Sequence, residues 1–463
     1  MSKRLIRLLS LVAVLALVLA ACGGDEPADT TAAPGDTTAP TEAPDDTEAP
    51  DDTEAPDDTE APDDTTPMEE DPLGTVTVAE GDAIQVRSLN AISGEVATLG
   101  IPNERAMELA IEDYGQIKGH DVDMGTGLDD LCSNEGGQAA AQTIVADQQV
   151  LGVIGTSCSG AAVAASPLIS DAGMVMISPS NTSPSLTSDL AGTAGTDWHE
   201  GYYRTAHNDL FQGRAVANFV YDDLGLTTAA AIHDGDPYTQ GLAQAFADAF
   251  EELGGTITTF TAVNKGDTDM SGVLSEAASG SPEALYFPIF PPEGDFIVQQ
   301  IGGVEGFEET TLIAADGLLV ANFLGLPESE GMYFSGPSLQ FEGNANEITG
   351  VSASDFLATY NDTYGEAPSA AFWAHSYDAT TMLLSAIDEV AVEGDDGSLS
   401  IGRQALRDAI EATSFQGLIG GLACDEFGDC GAQEIQIVLH ADSSVTDATQ
   451  MEVVYSFSGL EEG

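Results

Sequence analysis

Two short polar loops carry side chains suited to holding a small charged solute. Gly155-Thr156-Ser157-Cys158-Ser159-Gly160 follows an apolar run and opens a helical pattern. Hydroxyls and free N–H groups at a helix start attract an anion such as a carboxylate. Ser178-Pro179-Ser180-Asn181-Thr182 ends the next apolar run, so Ser157, Ser159, Ser180 and Thr182 fall on neighbouring loops that one ligand can share. Further along, Asp234-Gly235-Asp236-Pro237-Tyr238 and Ala314-Ala315-Asp316-Gly317 end two more such runs. A carboxylate there can neutralise an ammonium group, although Asp316 also fits a helix cap before Leu318, and Ser159 a cap of its own helix. Phe290 and Phe372 are candidates to wall an apolar side chain, with core packing the alternative for each.

Other chemistries fit poorly. A serine hydrolase would use Ser157 or Ser159, but Gly155-Thr156-Ser157-Cys158-Ser159 lacks the closing glycine of a G-x-S-x-G elbow, and no motif places a histidine as base. The chain therefore reads as a binder and not an enzyme. His120, His199, His207, His233, His375 and His440 include no i, i+4 pair, so neither a metal nor any other cofactor is expected.

The loops need elements to hold them. From residue 82 onward, short apolar or β-branched runs alternate with helical patterns: strands at 83–89, 122–127, 151–155 and 174–178, with helices around 107–114, 137–148 and 161–170. After an irregular stretch at 180–208 the rhythm restarts, with strands at 229–234, 256–262, 284–289 and 311–315 separated by helices at 212–224, 239–253, 270–278 and 295–301. Later helices at 354–364, 375–392 and 402–412 and a strand at 434–440 complete the pattern. Alternation at this spacing means parallel βαβ units. The fold class expected is α/β, two doubly wound Rossmann-like lobes with a ligand cleft at the strand C-termini.

The amino-terminal region reads differently. Lys3, Arg4 and Arg7 precede an apolar stretch at 8–19 that is short for a membrane span, and Leu19-Ala20-Ala21-Cys22 closes it. This is the layout of a lipoprotein signal, with 1–21 removed and Cys22 lipidated at an extracytoplasmic membrane face. Residues 22–74 follow as an acidic Ala, Pro, Asp, Thr and Glu tether in which Ala-Pro-Asp-Asp-Thr-Glu recurs from Ala43 to Glu60. Nothing apolar there offsets the entropy of ordering, so it is expected to be disordered. The whole chain has a formal net charge of −67, which repels nucleic acid and anionic lipid and points to a saline setting. Besides Cys22 there are four cysteines, Cys132, Cys158, Cys424 and Cys430, an even number suited to two disulfides outside the cytoplasm.

Residues 155–187, reading GTSCSGAAVAASPLISDAGMVMISPSNTSPSLT, resemble the cleft loops of the branched-chain amino-acid-binding proteins that serve ABC importers, with the type I periplasmic binding protein fold. Gln212-Gly213, IHDGDPYTQGL at 232–242, Ser376-Tyr377-Asp378-Ala379 and the Phe-x-Gly and Asp-Glu-Phe-Gly-Asp elements within 415–429 extend the likeness, in order, over about 82–440. The resemblance implies lobes of 82–205 plus 336–418 and of 206–335 plus 419–463, joined by three crossovers near 203–208, 331–337 and 417–421 that act as hinges around one amino acid. It implies that Ser159, Ser180 and Thr182 hold the α-carboxylate and share the α-ammonium, that Asp316 takes the place of the ammonium-binding acid, and that Tyr238 closes over the ligand. It also implies a Cys132–Cys158 disulfide, and Cys424 is expected to pair with Cys430 across a short hairpin-like turn. Leu99 and Phe290 stand where the family often has tyrosine, and Asp316 is one methylene shorter than the usual glutamate. The implied function is a monomeric, lipid-anchored receptor delivering an amino acid to an ABC permease. The alternative is a sensing module for amides, urea or small carboxylates that works with a separate signalling partner.

Overall fold

A computed structural model describes residues 71–459. The leader, Cys22 and all but the last four residues of the expected tether lie outside that range. In the first lobe the strands run Val122–Asp123, Ile84–Asn90, Val150–Gly155, Val175–Ser178 and Tyr202–Arg204 across one parallel sheet. Every residue of Val150–Gly155 and Val175–Ser178 is buried, as a parallel sheet with helices on both faces requires. The second lobe orders Glu452–Ser458, Glu434–Leu439, Tyr333–Pro337, Thr311–Ala315, Ala284–Tyr286, Thr228–His233 and Thr256–Ala262. Its first two strands are antiparallel additions to a parallel set. The molecule is thus a two-lobed α/β fold of doubly wound sheets. The helix Trp373–Val390 is buried from Trp373 to Leu384, its polar residues His375, Ser376, Asp378, Thr380 and Thr381 included, and Trp373, Tyr377, Met382, Leu383 and Ile387 pack in the first lobe's core, which makes it the spine of that lobe.

Three boundaries differ from those expected. Residues 71–74 are not tether: the Asp71 carboxylate accepts hydrogen bonds from the amides of Gln404 and Ala405 at the start of the helix Arg403–Glu411, and Gly74 O accepts from the Arg403 amide. Thr75–Val78 then pairs antiparallel with Leu399–Gly402. The second crossover lies beyond 331–337, because Tyr333–Pro337 is an interior strand with partners on both sides. The third lies beyond 417–421. Ser414–Gly417 and Gly420–Ala423 form a hairpin whose Phe415, Leu418, Ile419 and Leu422 pack in the first lobe's core. Asp378 holds that turn by accepting from the Leu418 and Ile419 amides, each at 2.9 Å. Gly417 is required there, since a Cβ would stand 2.3 Å from Asp378 Oδ2. The first lobe therefore keeps the chain through Cys430, and the second resumes with Glu434–Leu439, so the expected division at 418 moves. Glycine and proline in these segments read as linkers, yet their neighbours' apolar side chains bury them in sheet and hairpin.

The first crossover falls where expected, between Tyr202–Arg204 and the helix Asp209–Asn218. It is pinned by fully buried Arg204, which pairs with Asp429 and donates to Asn181 O, Ser183 O and Thr187 Oγ1. The acid of the Asp425–Asp429 turn thus anchors the cleft loop at 181–187. All other Lys and Arg side chains of the described residues are likewise engaged. Arg87, Arg105, Lys118, Arg214 and Lys265 form ion pairs, and Arg403 and Arg407 donate to main-chain carbonyls. Among the described residues no helix is long and apolar enough to cross a membrane.

Candidate functional site

Where the strand ends of the two lobes face each other, Leu99, Ser157, Ser159, Ser180 and Phe372 oppose Tyr238, Phe290, Asp316 and Gly317 across a cavity of about 320 Å3 including its mouth. A larger hollow of about 540 Å3 lies between Leu357, Trp373 and the 446–449 turn. Its mostly Leu, Ala and Pro lining offers less to a charged solute.

The first lobe supplies hydroxyls and a helix start. Ser159 begins the helix Ser159–Asp171 and is not its cap; Cys158 holds that position with no side-chain bond. The Ser159 and Gly160 amides therefore have no intrahelical acceptor and carry the positive end of the helix. The Ser159 hydroxyl accepts from the Ser183 amide at 3.4 Å. Ser180 Oγ donates to Ser157 O at 3.1 Å and accepts from Asn103 Nδ2 at 3.3 Å. Ser157 lines the cavity, but its hydroxyl is turned into the lobe, donating to Asn90 Oδ1 and accepting from the Ala91 amide, both at 3.0 Å. Thr182 is not brought to the cavity. Its carbonyl accepts from the Asp209 amide at 2.9 Å, and this turn of the chain buries the hydroxyl one layer back beside the Asp209 side chain. The Cys132–Cys158 disulfide clamps this rim, and Cys424–Cys430 closes the turn after the 414–423 hairpin.

The second lobe supplies the opposite charge. Asp316 accepts from Gln212 Nε2 at 2.8 Å and from the Tyr238 hydroxyl at 3.1 Å, both on Oδ1. Oδ2 is left without a side-chain partner at the cavity wall. No helix cap is made by this side chain. Burial raises its pKa to about 6, while the bonds from Gln212 and Tyr238 act to lower it. Tyr238 also accepts from the Gly317 amide at 3.1 Å, and its ring lies 5.0 Å from that of Phe290. The apolar wall is completed by Leu99 and by Phe372, which stacks on His207 at 6.2 Å.

The lobes meet closely at the mouth. Lys265 of the second lobe donates to Asp236 Oδ2 at 3.1 Å and to Cys132 O of the first at 3.3 Å. Asp236 Oδ2 also reaches the first lobe's helix start, where a Cβ on Gly160 would stand 2.5 Å from it. Only a glycine admits this approach, and the carboxylate meets the positive helix end there. Burial raises the Asp236 pKa, and Lys265 counters it.

Sequence reasoning named Leu99 only as standing where the family often has tyrosine, and did not single out Gly317 as lining or Gln212 as a hydrogen-bond donor to Asp316. A usable signal existed for Gln212: it is a polar residue on a buried helix face beside Gly213, which packs against Ala245. No group of three or more His, Cys, Asp or Glu side chains among the described residues could hold a metal ion.

Residues 83–430 match the model of the periplasmic binding protein family. The leucine-, isoleucine-, valine-, threonine- and alanine-binding protein of Pseudomonas aeruginosa is 28% identical over 365 residues, covering 75% of this chain and 87% of that one. The Leu/Ile/Val-binding protein of Escherichia coli is 26% identical over 394 residues, covering 80% and 95%. Among solved structures, a leucine-binding protein from Thermotoga maritima superposes with a TM-score of 0.68 at 25% identity, covering 81% of this chain and 99% of that one.

Proposed function

Because this chain belongs to the periplasmic binding protein family, a family of substrate-binding proteins and not enzymes, we propose that it captures an α-amino acid with an apolar side chain, of branched-chain type or related, and delivers it to an ABC importer. The observation that carries this reading is the polarity of the cleft. A hydroxyl-lined helix start at Ser159 and Ser180 opposes the free oxygen of Asp316, while Leu99, Phe290 and Phe372 form the third side. A zwitterion with an apolar substituent satisfies all three at once: carboxylate to the helix start, ammonium to the acid, side chain to the aromatic wall. Relatives named for binding leucine, isoleucine and valine support the same choice.

The receptor acts as a monomer outside the cytoplasm, held through a lipidated Cys22, and its partner is a permease. Differential scanning fluorimetry against leucine, valine, acetamide, urea and benzoate tests the ligand class. Leucine or valine at 100 times Kd should add about 2.7 kcal/mol of stability. Stabilisation by benzoate or the amides, with none from any amino acid, would overturn it in favour of the sensing alternative.

A further inference from the structure

Asp316 is held from behind by side chains that the ligand does not need to touch. Gln212 is fully buried, and its Nε2 donates to Asp316 Oδ1 and, at 3.0 Å, to Ser335 Oγ. With the amide nitrogen facing that way, Oε1 points to the other side and lies 2.5 Å from His207 Nε2. An amide oxygen only accepts, so His207 carries its proton on Nε2. Nδ1 is then a bare lone pair, and it is buried with no partner. Burial pushes the ring's pKa down to about 4, which keeps it neutral. Hydrogen bonds therefore run in one direction, from His207 to Gln212 to Asp316.

His207 occupies the crossover between Tyr202–Arg204 and Asp209–Asn218. Its ring lies against Phe372, a wall of the cavity, and Phe372 meets His375 at 5.1 Å. Thr205 Oγ1 donates to His375 O at 2.9 Å. The charged and titratable groups around this chain are Arg204 with Asp429, Asp209 and His375, besides Tyr238 on Asp316 itself and Tyr286, whose hydroxyl meets Ser335 Oγ at 3.2 Å. Moving the His207 proton to Nδ1 would set two acceptors face to face. The Gln212 amide would then flip, turning its oxygen onto the Asp316 carboxylate.

We propose that His207 and Gln212 are positioning residues, which through this one-way chain fix Asp316 with its free oxygen toward the ligand ammonium and so tie a hinge histidine to ligand recognition. The inference rests on the amino-acid reading given above. It is tested by calorimetric titration of leucine and of its des-amino analogue 4-methylpentanoate, from pH 5 to 8, into wild type, Gln212→Leu, His207→Leu and His207→Gln. Wild type should prefer leucine. Gln212→Leu and His207→Leu should each lose about tenfold for leucine, the scale of one hydrogen bond to a charged group, with 4-methylpentanoate unchanged. The pH midpoint of leucine binding should rise in both, because the acid loses or weakens a donor. His207→Gln, which keeps an N–H at similar reach, should restore most of the affinity and the midpoint. Equal losses for both ligands, or an unmoved midpoint in folded variants, would overturn the chain while leaving the amino-acid reading intact. A wild type with no preference for leucine over 4-methylpentanoate would refute that reading and this inference with it.

Discussion

Lowering the pH from 7 to 5 should weaken amino-acid binding about tenfold, through Asp316. The ligand ammonium needs the ionised carboxylate, whose pKa burial has raised to about 6 in the ligand-free protein. The sign follows directly: below that value binding must first release a proton, so affinity falls as pH falls, and above it the affinity is flat. At pH 7 about nine-tenths of the carboxyl is ionised and at pH 5 about one-tenth, a ratio worth ~1.3 kcal/mol at 1.36 kcal/mol per tenfold. His207, with its pKa near 4, stays neutral across the window. Titration calorimetry in two buffers of different ionisation enthalpy should detect the released proton near pH 5 and not at pH 8. Asp316→Asn keeps the size and a hydrogen-bonding oxygen but removes the charge. It should weaken binding at pH 7 by roughly 2 to 5 kcal/mol, the usual loss when a buried ion pair is deprived of one partner, and should flatten the pH profile. A wild-type profile that is level from pH 5 to 8, or an Asn variant with unaltered affinity, would refute the assignment of Asp316 to the ammonium.

Gly160→Ala should hold the lobes apart, because the new methyl would collide with Asp236 Oδ2; small-angle scattering with saturating leucine should show a larger radius of gyration than liganded wild type. Asp209→Asn should raise the melting temperature at pH 7: burial and then Asp316 push the Asp209 pKa well up, so the wild-type acid's contribution is present at low pH and lost as pH rises from about 4, and a thermal melt series from pH 4 to 8 should be flatter in the variant. Non-reducing peptide mapping should recover the 132–158 and 424–430 links, worth about 3.5 and 2.4 kcal/mol in the chain-entropy model, with a lower melting temperature after reduction. Cys22→Ser should release the protein from membranes with leucine affinity unchanged, and retention of that variant in the membrane fraction would count against the lipid anchor.

Periodicity located the local elements well, since their signal lies within ten or so residues. Thr256–Ala262 and Thr311–Ala315 fall where the apolar runs predict them, and both cleft loops of the first lobe sit at strand ends. What escaped is set by distant pairing. Thr75–Val78 is a strand only because Leu399–Gly402 lies beside it, and Glu452–Ser458 because Glu434–Leu439 does. The second and third crossovers were misplaced for the same reason: Gly and Pro mark bends, but burial decides whether the bend is a hinge or a hairpin. In the site, residue type found hydroxyls, aromatics and an acid that line the cavity between the lobes. It could not tell that Ser157 spends its hydroxyl on Asn90, or that Thr182 turns away toward Asp209.

Every Lys and Arg of the described chain is committed to a carboxylate or a carbonyl, while unmatched carboxylates cover the exterior, in a chain whose formal net charge is −67. Such a coat behaves like a fixed-charge membrane wrapped around the cleft. Within about 8 Å of the surface at physiological ionic strength it enriches mobile cations and depletes anions. A zwitterion crosses that layer with no net work, whereas a dicarboxylate is depleted in it. The exterior should therefore lower the concentration of anions at the mouth, an effect that fades as salt is added.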